Sequence, residues 1–132
     1  MFDSLLKAVF GKRAAYTRRW PRLIMTEPAR LGLPDGREIP VMLVQLSAGG
    51  ARLQSAARLK PGETVILSVE IGLGLKRDIT AQVLHVRKDA KGFYYTSGLC
   101  FIDIDPLKIR SIAAYIADEQ QRRRQGMPLS HT

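Results

Sequence analysis

The residues best suited to binding chemistry lie in a short basic segment, Arg18-Arg19-Trp20-Pro21-Arg22, directly before an apolar run. Arginine carries a planar guanidinium that makes paired hydrogen bonds to phosphate oxygens or to O6 and N7 of guanine, and that stacks on planar rings. Pro21 disfavours a helix at Trp20, so an extended loop is predicted. Arg18 and Arg22 can then approach one anion from different sides. A solvated basic linker is the alternative.

A second candidate is the loop from Gln45 to Gly50, with the sequence QLSAGG. Its glycines permit backbone conformations that other residues rarely adopt, and they let a ligand approach the main chain. Ser47 offers a hydroxyl to a phosphate or to its own turn. By itself, this loop indicates no more than a β-turn.

Catalytic and metal-binding patterns are absent from the sequence. His85, in a predicted strand, and His131, near the C-terminal end, have no partner at metal-ligand spacing. A strand-to-helix junction explains Asp103 and Asp105 better than an acid/base pair does. The single cysteine, Cys100, is expected to be a small buried residue. These observations favour a binding protein over an enzyme, with no metal or cofactor.

The composition is that of one soluble domain with a basic surface. Of 132 residues, 45% are hydrophobic and 25% are charged, an ordinary globular balance. No apolar stretch suits a transmembrane helix and no signal peptide is evident, so a cytoplasmic protein is expected. The net charge is +9, and residues 1–22 hold six basic residues against one acidic residue. Such a segment attracts nucleotide phosphates, nucleic acid or acidic lipid.

The elements that must position these residues are predicted to be short β-strands. Turn signals such as Asp35-Gly36 and Pro61-Gly62 divide apolar or alternating segments, which favours a small barrel or sandwich. The predicted strands are residues 23–33, 38–46, 51–54, 64–71, 79–88 and 93–104. Residues 72–78 are expected to form a loop.

Prolines and helices complete the pattern. Pro28 and Pro40 are expected at edges, bulges or strand ends, because proline donates no ladder hydrogen bond. Apolar residues at helical spacing predict a short amphipathic helix over residues 2–10, followed by a basic linker to residue 15. Asp105-Pro106 predicts the start of a second helix, whose apolar face ends near Ala117. Residues 118–132 are expected to be a polar tail.

Taken together, the two loops resemble those of the PilZ domain family. That family has an Arg-x-x-x-Arg loop ahead of its first strand, matched by Arg18 and Arg22, and an x-x-Ser-x-x-Gly turn after its second, matched by Ser47 and Gly50. The resemblance covers about residues 16–117. It implies a six-stranded antiparallel β-barrel with a C-terminal helix. It also implies a bacterial receptor for cyclic di-GMP, a messenger with two guanines and two phosphates.

The resemblance further implies which residues bind that ligand: Arg18, Arg19, Arg22, Gln45, Ser47 and Gly50. Arg18 and Arg22 would contact guanine edges and phosphate, with Arg19 assisting. Gln45 departs from the family, which usually has Asp or sometimes Asn there. Glutamine keeps a carbonyl acceptor but lacks the charge. Since charged hydrogen bonds contribute ~1.5–3 kcal/mol and neutral ones ~0.5–1.5 kcal/mol, binding is expected to be roughly tenfold weaker.

The resulting hypothesis is a receptor, as monomer or homodimer, that orders its N-terminal arginine loop on cyclic di-GMP and signals through a protein partner. Such receptors are associated with motility and biofilm. One alternative is a degenerate PilZ module that contacts proteins without the ligand. Others are a basic small barrel that binds nucleic acid and a membrane-peripheral protein anchored by its basic N-terminus.

Overall fold

The computed structural model describes residues 20–71, 75–102 and 104–126, and these form a closed antiparallel β-barrel followed by one helix. The elements are β1 (Leu23–Gly32), β2 (Glu38–Leu46), β3 (Gly50–Ser55), β4 (Thr64–Ile71), β5 (Leu75–Lys88), β6 (Tyr95–Phe101) and α1 (Pro106–Arg124). Around the barrel, the strand order is β1-β2-β3-β6-β5-β4. The predicted six-stranded barrel with a C-terminal helix is confirmed. The helix predicted over residues 2–10 lies outside the described residues.

The barrel interior is filled by apolar side chains that alternate with outward-facing ones, as the two-residue period of a strand requires. In β4, for example, Val65 and Leu67 are buried while Ile66 between them is 47% exposed. Ile112 and Ile116 of α1 join the same core. The largest buried strand residues are Leu23, Leu31, Leu43, Leu46, Leu53, Leu67, Ile79 and Phe101. Cys100 is also buried, as predicted.

Three irregularities in strand pairing lie at the same level of the barrel. β1 has one residue more than β2 between Ile24 and Glu27, Val44 is an extra residue of β2 opposite β3, and Leu84 is an extra residue of β5 opposite β6. A β-bulge of this kind interrupts the strict alternation and re-aims the side chains that follow it.

The two strand prolines lie where their strand has a neighbour on one side only. β1 pairs with β4 only over Arg30–Gly32, which leaves Pro28 beyond that ladder. β2 pairs with β3 only over Met42–Leu46, which leaves Pro40 beyond that one. The prediction that both lie at local edges is confirmed.

Strand β5 begins earlier than the sequence indicates. Residues 75–78, expected in a loop, pair with the end of β4. The two glycines of this segment, Gly72 and Gly74, favoured a loop in the sequence, but the residues that follow them take part in the antiparallel ladder with β4. β6 runs from Tyr95 to Phe101 rather than over residues 93–104, and the connection before it is closed by a hydrogen bond from the Asp89 N–H to the Tyr94 carbonyl at 2.8 Å.

Helix α1 begins where the sequence predicts. The Asp105 carboxylate accepts a hydrogen bond from the Leu107 N–H at 2.8 Å, and Pro106 occupies the first turn. The helix continues past Ala117 to Arg124, and its last turn is basic, which suits the negative end of the helix dipole. Residues 118–124 of the predicted tail are therefore helical.

Candidate ligand-binding site

The turn from Ser47 to Gly50 connects β2 to β3 and is held by the serine hydroxyl. Ser47 is buried, and its Oγ accepts hydrogen bonds from the N–H groups of Gly49 and Gly50, each at 3.2 Å. The Ser47 N–H donates to the Gly50 carbonyl at 2.9 Å. A Cβ at Gly50 would overlap the Leu99 carbonyl oxygen on β6. Both residues therefore fix the shape of the turn.

An open depression with a volume of about 140 Å³ lies on the outside of the barrel beside this turn. We call it the arginine depression. Its lining comes from the residue before β1 and from β2, β3, β5 and β6: Arg22, Gln45, Ser47, Gly50, Ala51, Arg52, Leu84, His85, Gly98 and Leu99. This lining contains cations and no carboxylate, so it favours an anionic ligand.

Four of the lining residues form one row across four neighbouring strands. Gln45 on β2 pairs with Arg52 on β3, Arg52 with Gly98 on β6, and Gly98 with His85 on β5. At a spacing of about 4.8 Å between strands, the row is on the order of 14 Å long. The bulges in β2 and β5 directly precede Gln45 and His85, and turn both side chains to the outside.

The polar side chains of the depression have no partner within the part of the chain that the structure describes. Arg22, Arg52 and His85 are exposed and Gln45 is half-buried. None of the four makes a side-chain hydrogen bond or ion pair with another described residue. Within the described part of the chain, no other side chain competes with a ligand for their hydrogen-bonding groups.

Arg22 is connected to helix α1 through its backbone. Gln120 Nε2 donates to the Arg22 carbonyl oxygen at 3.0 Å, and the Arg123 guanidinium donates to the Ile24 carbonyl oxygen at 2.5 Å. The largely buried Glu119 carboxylate lies 3.7 Å from the same guanidinium. The last turns of α1 thus hold the entry into β1, while the Arg22 side chain faces the depression.

A comparison with protein families matches most of the chain: the PilZ domain model covers residues 16–118. The chain belongs to the PilZ domain family. No curated protein matches it in a sequence search.

Solved structures with the same fold include several PilZ proteins. The Bacillus subtilis inhibitor of motility MotI/DgrA has a TM-score of 0.71 and 19% identity, with 81% of this chain and 52% of that chain covered. The PilZ domain of YcgR from Escherichia coli, solved with cyclic di-GMP, has a TM-score of 0.66 and 19% identity, with 85% of this chain and 98% of that chain covered. The K. pneumonia MrkH–cyclic di-GMP complex has a TM-score of 0.69 and 17% identity, with 83% of this chain and 55% of that chain covered. This chain thus spans about half the length of MotI/DgrA and MrkH, and these likenesses establish its fold.

The PilZ barrel brings together those predicted site residues that the structure describes: Arg22, Gln45, Ser47 and Gly50. The hydroxyl of Ser47 is engaged within its own turn, which is one of the two uses that the sequence left open. Arg18 and Arg19 lie outside the described residues.

The lining residues that the sequence reasoning missed include Arg52, His85 and Gly98. Gly98 carried a usable signal, because a glycine inside a strand often marks a close approach by another group. Arg52 and His85 had none, since their positions beside Gly98 depend on the pairing register and on the bulge at Leu84.

Within the described ranges 20–71, 75–102 and 104–126, no group of three or more His, Cys, Asp or Glu residues is placed to hold a metal ion. No helix in these ranges has the length and apolar character needed to cross a membrane.

Proposed function

We propose that this PilZ domain is a receptor for cyclic di-GMP. The observation that carries the proposal is a pair of exposed arginines, Arg22 and Arg52, which form no ion pair with another described residue and lie beside the turn that contains the serine and glycine of the family motif. Cyclic di-GMP presents two phosphates and two guanines, and a guanidinium group binds both kinds of group. YcgR and MrkH, which share the fold, have been solved with this ligand.

Each residue has a distinct role in this proposal. Arg22 contacts a phosphate or a guanine edge, and Arg18 and Arg19 join it from the preceding segment. Gln45 accepts a hydrogen bond from a guanine N–H through its side-chain carbonyl. Ser47 and Gly50 act indirectly, because they hold the turn in a shape that a ligand can approach closely.

The signal passes to a protein partner through two changes. The N-terminal arginine segment becomes ordered on the ligand, and the backbone at Arg22 moves as a result. Because Gln120 and Arg123 of α1 hydrogen-bond to the Arg22 and Ile24 carbonyls, the end of the helix responds to that movement. Hydrogen exchange over residues 106–124, measured with and without ligand, tests this step. Unchanged exchange at saturation would contradict it.

The receptor function is tested by isothermal titration calorimetry at near-physiological salt with cyclic di-GMP, and with GTP as the control nucleotide. We expect saturable binding of cyclic di-GMP, no comparable binding of GTP, and a loss of about 10- to 100-fold in affinity for Arg22→Ala.

Two outcomes separate the alternatives. Absence of binding by the native chain, with binding gained in Gln45→Asp, would identify a degenerate PilZ module. Equal affinity for any polyanion, falling steeply with salt, would favour a nucleic-acid binder.

A further inference from the structure

The imidazole of His85 lies directly over Gly98 on the neighbouring strand. A Cβ placed on Gly98 would overlap the ring, with Cε1 at 2.6 Å and Cδ2 at 3.1 Å. The ring therefore occupies space that any other residue at position 98 would fill. His85 is nonetheless exposed, so the ring is supported from beneath by backbone and open to solvent above.

The local fold is arranged to put this ring at the arginine depression. Buried Val83 and the extra residue Leu84 precede it, and strict alternation without the bulge would point residue 85 inward. Leu84 is itself 50% exposed, which shows that two consecutive side chains face outward here. Arg52 on β3 pairs with Gly98 from the opposite side. Gly98, which has no side chain, is therefore flanked by a cation and an aromatic ring.

Resting on the proposed receptor function, we propose that His85 is a further ligand-binding residue whose imidazole stacks against a guanine base of cyclic di-GMP. A planar ring that is fixed on one face and solvated on the other is a stacking platform, and base–aromatic stacking is a strong, geometry-tolerant contact. His85 makes no side-chain hydrogen bond to any described residue, so nothing in that part of the chain competes for its exposed face. Arg52 lies across Gly98, where it can pair with the phosphate next to the stacked base.

Three variants separate stacking from the other possible uses of a histidine. His85→Ala removes the ring, His85→Phe keeps a ring without its nitrogens, and His85→Gln keeps hydrogen-bonding groups without the ring. In calorimetry with cyclic di-GMP, we expect His85→Ala and His85→Gln to bind about 5- to 100-fold more weakly, and His85→Phe to stay within about threefold of the native chain. Phe93→Ala removes an aromatic ring that is 78% exposed at the β5–β6 turn, and it should have no effect.

A second measurement reports stacking independently of affinity. The chain has two histidines, so the imidazole C–H signals of His85 are assigned by comparison with His131→Gln. Stacking against guanine should move the His85 signals upfield on saturation with cyclic di-GMP.

The outcomes distinguish this inference from the proposed function. If the native chain binds, Arg22→Ala loses binding and His85→Ala binds as the native chain does, the role of His85 is wrong and the receptor function stands. If His85→Gln binds as tightly as the native chain and His85→Phe binds more weakly, His85 contacts the ligand through a hydrogen bond, and the proposed stacking is wrong. If neither the native chain nor Gln45→Asp binds cyclic di-GMP, both proposals are wrong.

Discussion

Arginines near the β1–β2 hairpin form ion pairs with carboxylates, whereas those at the opposite end of the barrel, beside the Ser47–Gly50 turn, form none with a described residue. Beside the hairpin, Arg30 Nε lies 2.6 Å from Glu38 Oε1, and Arg37 Nε lies 2.7 Å from Asp35 Oδ2. At the other end, Arg22 and Arg52 face the arginine depression without an ion pair to any described residue.

This difference shows which part of the net charge of +9 is available for binding. An exposed ion pair contributes little stability, about 0–1 kcal/mol, but it neutralises its arginine locally. Cations without a partner leave a positive potential that attracts and orients an anion. The position of each arginine relative to a carboxylate therefore matters more than the number of arginines.

Reversing one charge at each end gives the largest expected contrast. Arg22→Glu removes a proposed ligand contact and places a carboxylate beside two phosphates, so we expect affinity for cyclic di-GMP to fall by more than about 100-fold. Arg30→Glu makes the same change in total charge, but far from the depression, and should leave affinity within about threefold. Titration calorimetry of both variants checks this, and equal losses would show that only the overall charge attracts the ligand.

The two buried turn serines give the next contrast. Ser47 Oγ accepts from two backbone N–H groups, whereas Ser55 Oγ donates to a single carbonyl, that of Ala57, at 2.7 Å. Ser47→Ala leaves buried donors without a partner and should cost about 1–3 kcal/mol in the free energy of unfolding. Ser55→Ala should cost about 0.5–1.5 kcal/mol. Denaturant unfolding measures both.

Ligand affinity adds a second test of the serines. We expect weaker cyclic di-GMP binding only for Ser47→Ala, since its turn lines the depression. If Ser55→Ala weakened binding equally, a general loosening of the barrel would explain both variants.

The sequence predicted the barrel well because its signals are local. Asp35-Gly36 at the hairpin, the alternation in β4 and the Asp105-Pro106 helix start each operate over a few residues, and all three were confirmed. Strand β5 was predicted too short because the glycines at 72 and 74 favoured a loop, whereas pairing with β4 extends the strand back to Leu75. Such pairing depends on the partner strand as well as on the segment itself.

The candidate site was predictable only where it follows a motif. Ser47 and Gly50 occupy one turn, so their spacing is visible in the sequence. Arg52 and His85 come together only through Gly98, and that meeting depends on register across three strands and on a one-residue bulge. A β-bulge leaves no recognisable pattern in the amino-acid sequence. The sequence of β5 alone therefore does not show whether His85 faces the barrel interior or the outside.

Placing a carboxylate beside Arg22 and Arg52 is expected to change ligand affinity by an intermediate amount. Gln45 pairs with Arg52 in register and lines the same depression as Arg22. In Gln45→Asp, a charged acceptor for guanine N–H groups should tighten cyclic di-GMP binding about tenfold. Calorimetry measures it, with Gln54→Asp, on the same strand as Arg52 but outside the depression, as the control. Weaker binding in Gln45→Asp would mean that the new carboxylate neutralises the arginines as Glu38 does for Arg30.

The smallest expected effect is on the pKa of Asp35, which forms an ion pair with Arg37 at the β1–β2 hairpin. The backbone N–H of Arg37, and then its guanidinium, hydrogen-bond to the Asp35 carboxylate and lower its pKa. Arg37→Ala keeps the backbone donor, so the pKa should rise only part of the way back, which carboxyl-carbon NMR measures. Because folding lowers this pKa, the stability it contributes is present above the unfolded pKa and is lost as the pH falls through the folded one.

Affinity for cyclic di-GMP should not change in Arg37→Ala. If it did, the paired arginines would also take part in binding, and the division between the two ends would be wrong.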